Sequence, residues 1–240
     1  GTLFFYIINS KLNADEFNLS ALEVSFDKQN NIVKGKGSVV VTDNSGKIIK
    51  GDRATYKKNS EFLIIEGSVE IFDDLGNILK TDKATYDKKI DTIIAYNNSK
   101  LTLSEGYKLI SDKIFYNNME KIISSNQNST LTDVDGNIIT VGMFEYHLEK
   151  HLFSSIGKIK IIDTQKNKYF FKELHVDTKK QEMIGSDVSV VLDQENFGLS
   201  KENDPRFVAN DIFISKYKYS MSKGVFTVCQ KKGDECPPWS

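Results

Sequence analysis

Four groups of residues in this 240-residue chain have types and spacings that could do chemistry. His147-Leu-Glu-Lys-His151 sets two imidazoles four apart, which on a helix would turn both toward one metal ion. Asp52, Asp82 and Asp112 recur as a column of carboxylates, the raw material of acid–base hydrolysis. Asp133-Val-Asp135-Gly136-Asn137 has the opening of a calcium loop, and Cys229 and Cys236 are the only two cysteines. Each group meets an objection from its own neighbours. Glu149 is not adjacent to the first histidine, as the zinc-protease motif requires, and the stretch falls at a turn between apolar strands. Each aspartate of the column is followed by Arg53, Lys83 or Lys113, and strands two apart would hold the carboxylates about 10 Å from one another. The calcium pattern lacks a third ligand before the glycine and the distal glutamate. The cysteine pair has no nearby histidine to make a zinc site. No Gly-x-Ser-x-Gly elbow and no glycine-rich phosphate loop occurs. The expectation is a protein that is not an enzyme, with no catalytic residue, no metal and no cofactor.

The elements that hold these groups are repeats. GKIIKGDRATY, Gly46 to Tyr56, returns thirty residues later as GNILKTDKATY, Gly76 to Tyr86, then as GYKLISDKIFY from Gly106 and GNIITVGMFEY from Gly136. A fifth copy, NKYFFKELHVD from Asn167, is aligned one residue out of step and without its tyrosine, and a degenerate sixth lies around Phe207 to Ser215. Turn residues on both sides make each copy a hairpin. In the second strand of each hairpin the odd positions are apolar, so one face is buried. Gly37, Gly67, Asn97, Gln127 and Gly157 interrupt that face at the thirty-residue step, and Gly51, Thr81 and Ser111 soften the partner strand. These positions predict a bend at one height in every hairpin.

Stacked hairpins creased in this way predict an all-β fold, a twisted β-jellyroll or open V-shaped roll whose inner faces are apolar. The lining is expected to include Val41, Ala54, Tyr56, Leu63, Ile71, Ala84, Tyr86, Leu101, Ile114, Tyr116, Leu131, Phe144 and Tyr146. If the two sheets pack tightly, this is merely a core and the protein a structural or adhesive rod that binds protein or glycan through its turns. If the V stays partly open, it is a groove for acyl chains, worth about 0.8 kcal/mol per buried methylene. The tyrosines at 56, 86, 116 and 146 fit either case, as core aromatics with hydroxyls at the rim or as part of a ligand site. With 32 basic and 33 acidic residues, no charge imbalance points to nucleic acid. The apolar run Leu3 to Ile8, a polar stretch and Ala14 match the end of a truncated signal peptide, residues 1–14, with a buried first strand as the competing reading.

The repeat of a Gly-Ser-Val strand, a turn ending in glycine and an Asp-Lys/Arg-Ala-Thr-Tyr strand resembles the OstA-like domain of bacterial lipopolysaccharide transport proteins, over about Leu22 to Ser215. FTVCQKKGDECPPWS, Phe226 to Ser240, is similar to the segment that joins the periplasmic domain to the outer-membrane barrel in the LptD family. The resemblance implies residues 15–225 as an OstA-like periplasmic domain and 226–240 as a linker toward a barrel. It implies lipid A acyl chains of lipopolysaccharide as cargo, passed toward the barrel at the periplasmic face of the outer membrane. It also implies the bridge protein LptA as a partner by edge-strand addition and the lipoprotein LptE as a partner through the barrel. Cys229 and Cys236 could pair with each other, or each with a cysteine of a further segment, as the family's barrel-to-domain disulfides imply.

Overall fold

The computed structural model describes residues 12–13, 17–200 and 203–230. It divides into two compact units, Gly1–Lys121 and Ile122–Ser240. Both are all-β and antiparallel, as the alternation and turn chemistry predict. Among the described residues the only helical pieces are two short 3-10 turns, Lys58–Ser60 and Gln194–Phe197, and no helix is long and apolar enough to cross a membrane.

The first unit runs β1 (Leu12–Asn13), β2 (Phe17–Ser20), β3 (Glu23–Asp27), β4 (Ile32–Asp43), β5 (Ile48–Lys57), β6 (Phe62–Phe72), β7 (Ile78–Asp87), β8 (Thr92–Thr102) and β9 (Lys108–Asn117). From β4 onward each strand pairs with the next. β2 and β3 together take the place of one strand, against the later and earlier halves of β4. Leu12 and Asn13, inside the stretch expected as signal peptide, pair with Leu19 and Asn18; the rest of residues 1–14 lies outside the described residues.

The crease falls where glycine and its stand-ins predict it. Lys36 pairs with Arg53 and Val39 with Gly51, so Gly37 and Ser38 oppose Asp52 alone. Gly67 and Ser68 oppose Asp82 in the same way, and Asn97 and Asn98 oppose Asp112. Both residues of each pair are left-handed, at φ 77° and 47°, 80° and 45°, and 67° and 47°. Such a bulge sharpens the local twist and bends the strand, dividing the unit into two leaves. The aspartate column sits opposite the bulges on the exposed face, where charge is solvated. A bulge also leaves backbone carbonyls without ladder partners, and inward hydroxyls take them up. Thr81 Oγ1 donates to the Tyr96 carbonyl at 2.6 Å and stands 3.0 Å from Ser99 Oγ, and Ser111 Oγ donates to the Lys113 carbonyl at 3.1 Å.

The second unit comprises β10 (Ile122–Ser125), β11 (Ser129–Thr132), β12 (Ile138–Val141), β13 (Phe144–His147), β14 (Leu152–Ile162), β15 (Lys168–Asp177), β16 (Glu182–Val191), β17 (Asn203–Ile214), β18 (Tyr219–Ser222) and β19 (Val225–Gln230). Here the bend at Gln127 breaks the strand outright into β10 and β11, and β12 and β13 are split to match. At Gly157 the register shifts within an unbroken β14. Two sequence expectations are corrected. The fifth repeat is in step, because Lys166 takes the left-handed turn position (φ 66°) that glycine fills at 46, 76, 106 and 136. Leu174, fully buried, then stands where Ala84 does, and Val176 where Tyr86 does. Phe226–Gln230, expected as the start of a linker, belong to β19, which pairs with Asn203–Phe207 of β17.

Gly67→Ala would put a Cβ against the Asp52 side chain and force alanine into the left-handed region. It should lower the stability read from urea unfolding midpoints by roughly 1–2 kcal/mol or more, whereas Lys100→Ala on the exposed face should stay within about 0.5 kcal/mol. Equal midpoints would show that the crease does not depend on the left-handed pair.

Candidate functional site: an apolar interior and its rim

Twelve of the thirteen residues expected to line an interior are buried. In the first unit Val41, Ala54, Tyr56, Leu63, Ile71, Ala84, Tyr86, Leu101, Ile114 and Tyr116 are all 8% exposed or less, and in the second Phe144 and Tyr146 are buried as well. Leu131 departs from the rest. It is half-buried, as are Ile139 opposite it, Ile161 and Tyr169, which follow it across the leaf. In the first unit the corresponding row, Val41, Ile49, Ile71, Leu79, Leu101 and Leu109, is dry.

The two units also differ in the contacts at their rims. On one rim three turns, at 73–77, 133–137 and 163–167, open with an aspartate whose Oδ1 accepts backbone N–H groups, and an asparagine four residues on links to the next turn; the turn Leu103–Tyr107 has neither residue. Asn77 donates to Asp73 Oδ2 at 2.7 Å and accepts the Ser104 N–H at 3.0 Å. Asn137 does the same with Asp133 and Thr164, and Asn167 with Asp163 and Asp193. The turn Asp43–Lys47 keeps the aspartate but has lysine in the asparagine position. Lys47 therefore leaves the ladder and turns across the opening to the other rim. Its Nζ lies 3.4 Å from Asp43 Oδ2, donates to Tyr86 Oη at 3.1 Å and reaches Asp91 Oδ1 at 3.7 Å. Tyr86 Oη donates to Asp91 Oδ1 at 2.5 Å and lies 3.3 Å from Asp43 Oδ2, while Lys88 Nζ approaches Asp43 Oδ2 at 3.8 Å. Phe17 closes over this group, edge-on to Tyr56 and Tyr86 at 5.0 and 5.5 Å. Lys47 and Asp43 have side chains only 3% and 1% exposed, while Asp91 and Lys88 keep 23% and 25%.

Tyr116 and Tyr146 of the column also end in rim hydrogen bonds. Tyr116 Oη donates to Asn118 Oδ1 at 3.1 Å, and Tyr146 Oη is 3.1 Å from Thr178 Oγ1. Asn118 in turn donates to Asp91 Oδ2 at 2.6 Å, extending the charged group along the rim. His147 and His151 do not converge: His147 Nε2 sits 2.6 Å from Glu145 Oε1, and His151 is a left-handed turn residue (φ 55°). Asp133 and Asn137 form the turn ladder described above. Among the described residues no group of three or more His, Cys, Asp or Glu could hold a metal ion. Cys229 is disulfide-bonded and 5% exposed; Cys236 lies outside the described residues.

No protein-family model matches the chain, and no curated protein does. Among solved structures it is similar to LptH of Pseudomonas aeruginosa, described as the LptA-homologous periplasmic component of the conserved lipopolysaccharide transport device. The identity is 19%, the TM-score 0.38, and the match covers 42% of this chain and 75% of that one.

Sequence reasoning foresaw the burial of these residues but missed the closure. Lys47, Asp43 and Asp91 carry no motif, and their contacts to Tyr86 include pairs 39 and 43 residues apart. The available signal was lysine at 47, the one charged residue at a repeat position that holds asparagine at 77, 137 and 167 and tyrosine at 107.

Burial opposes ionisation of Asp43, but the Ser45 hydroxyl, Lys47 and Lys88 outweigh it and hold its carboxyl below the usual range. Asp91 is likewise depressed: burial raises it, and the hydrogen bonds from Tyr86 and Asn118 with Lys47 and Lys88 more than reverse that. Burial first, and then the two carboxylates, push the Tyr86 hydroxyl far above its ordinary value. The carboxylate contributions are thus present above the unfolded value near 4 and lost as pH falls through the lower folded values. The tyrosine contribution is present below about pH 10 and lost above it. Unfolding midpoints should be level from about pH 5 to 9 and fall on either side. Tyr86→Phe should lower that plateau by about 1–3 kcal/mol, since the partly buried Asp91 carboxylate loses its donor and the buried Lys47 and Asp43 lose a polar neighbour. A midpoint that drops between pH 7 and 5 would contradict this assignment.

Proposed function

We propose that the chain is a non-enzymatic lipid conduit of lipopolysaccharide transport, the periplasmic OstA-like part of an LptD-type assembly protein. It holds lipid A acyl chains against its inner leaves while the phosphorylated sugar head stays in water. The observation that carries this reading is the apolar row Leu131, Ile139, Ile161 and Tyr169, which is only partly buried up to Val190, where the row is buried again, although the same row is buried throughout in the first unit. A rod selected for stability alone would gain by closing it. A chain of about a dozen carbons would gain roughly 10 kcal/mol on full burial, at about 0.8 kcal/mol per methylene. That is comparable with the whole stability of a typical domain, and is enough to replace leaf-on-leaf contact by leaf-on-lipid contact.

The rest of the reading follows the sequence resemblance. Residues 1–14 are the end of a signal peptide, the domain begins near Asp15, and the segment after β19 leads toward a barrel that binds LptE. Cargo comes from an LptA-type bridge by edge-strand addition. The last edge suits such a partner. Among the described residues β18 and β19 pair only with β17, and Tyr219, Met221 and Phe226 are 73%, 52% and 59% exposed on it. Unpaired backbone beside uncovered apolar side chains is what an added strand would cover.

Photo-crosslinking in cells tests the conduit. A photoreactive residue at Leu101 or Phe144 should label lipopolysaccharide, and one at Glu70 or Thr102 on the opposite face should not. Equal labelling of the two faces would discard the groove.

A further inference from the structure

We propose that Lys47, Tyr86, Asp43 and Asp91 form a latch that shuts the first unit, and that acyl chains enter this unit only when the latch opens. The proposal rests on the conduit reading and adds a gate to it. Three features of the closure favour a latch over a permanent seam. First, the lysine is not needed to build its own turn. Asp43 already accepts the Ser45 and Lys47 backbone N–H groups at 2.9 and 3.0 Å, as its counterparts do in turns completed by asparagine. Second, the closure is made of charges, where flanking positions are apolar. A buried ion pair is weak evidence for stability, and well-packed apolar residues would hold the rims at least as firmly. Third, one side of the group remains in reach of water, through Asp91 and Lys88. When the rims part, all four charged groups can be hydrated at once, whereas an apolar seam would expose its surface without compensation. The rows behind the latch, from Val41 to Leu109 on one leaf and from Tyr56 to Tyr116 on the other, are shut in this structure, so a chain cannot reach them while the rims touch.

The test uses the full chain and the variant Lys47→Asn, which installs the residue that completes the turns at 77, 137 and 167. The turn should therefore fold while losing its tie across the opening. Tyr86→Phe, which keeps the ring packing, serves as an independent second variant. Two readouts are needed. Spin labels on Asn44→Cys and Ile90→Cys, exposed positions on the two rims, report the separation of the rims by pulsed electron resonance. Stopped-flow uptake of a fluorescent hexadecanoic acid reports loading. We expect one narrow distance in the parent and an added longer population in both variants. Uptake should be roughly tenfold faster in the variants, the change expected for losing one hydrogen bond to a charged group. Unchanged distances and uptake in both variants, with uptake by the parent, would overturn the latch and leave the conduit standing. Parted rims with no uptake by any form would overturn the conduit, and the loading role of the latch with it.

Discussion

Everything in the first unit depends on one constraint, an extra residue in every second strand at the same height. Because Gly37 and Ser38, Gly67 and Ser68, and Asn97 and Asn98 each oppose a single aspartate, no strand can pass that height straight. The sheet has to fold onto itself, and residues that alternate inward on both halves meet. The cost is two left-handed residues per bulge, one of them always a serine or asparagine carrying a Cβ. Burial of the inner rows offsets that cost, and inward hydroxyls at Thr81, Ser99 and Ser111 supply the hydrogen bonds the bulges would otherwise leave unmade.

Folding a sheet in two produces rims, and the rims decide whether the interior is a core or a groove. Asn77, Asn137 and Asn167 each tie their own turn to the next on the same rim, which stiffens the edge without closing it. The exchange of one ladder asparagine for Lys47 redirects a tie from along the rim to across it. A single side chain thereby changes the boundary condition for the rows behind it. In the conduit we propose, two requirements meet here, an interior dry enough to hold an acyl chain and a closure that charges can release into water.

Much of this was legible in the sequence because it is periodic. The strand alternation and the crease at Gly37, Gly67 and Gly157 follow from residue types with few other uses. What escaped was carried by residues of ordinary type in special conformations. The left-handed residue that ends each turn of the second rim falls at 31, 61, 91, 121 and 151, with a sixth at 181, and none of the six is glycine. Lys166 does the work of a glycine in the fifth repeat, and reliance on glycine and tyrosine as anchors put that repeat one residue out. Leu131 obeys the alternation but sits in a strand only four residues long after a full break, next to Ile139, which is itself half-buried, so pattern alone overstated its burial. The latch was illegible for a different reason. It joins two rims of a folded sheet, and no local rule brings residue 47 to residue 86.

The central claim is that these creased leaves are built to part around lipid, and native mass spectrometry of the chain after gentle purification from its own cells tests it most directly. The account predicts a population heavier than the polypeptide by the mass of a bound acylated lipid, released when the leaves are unfolded. A chain that repeatedly emerges at its bare mass, from preparations in which lipopolysaccharide is abundant, would mark the interior as a closed core and the protein as a rod.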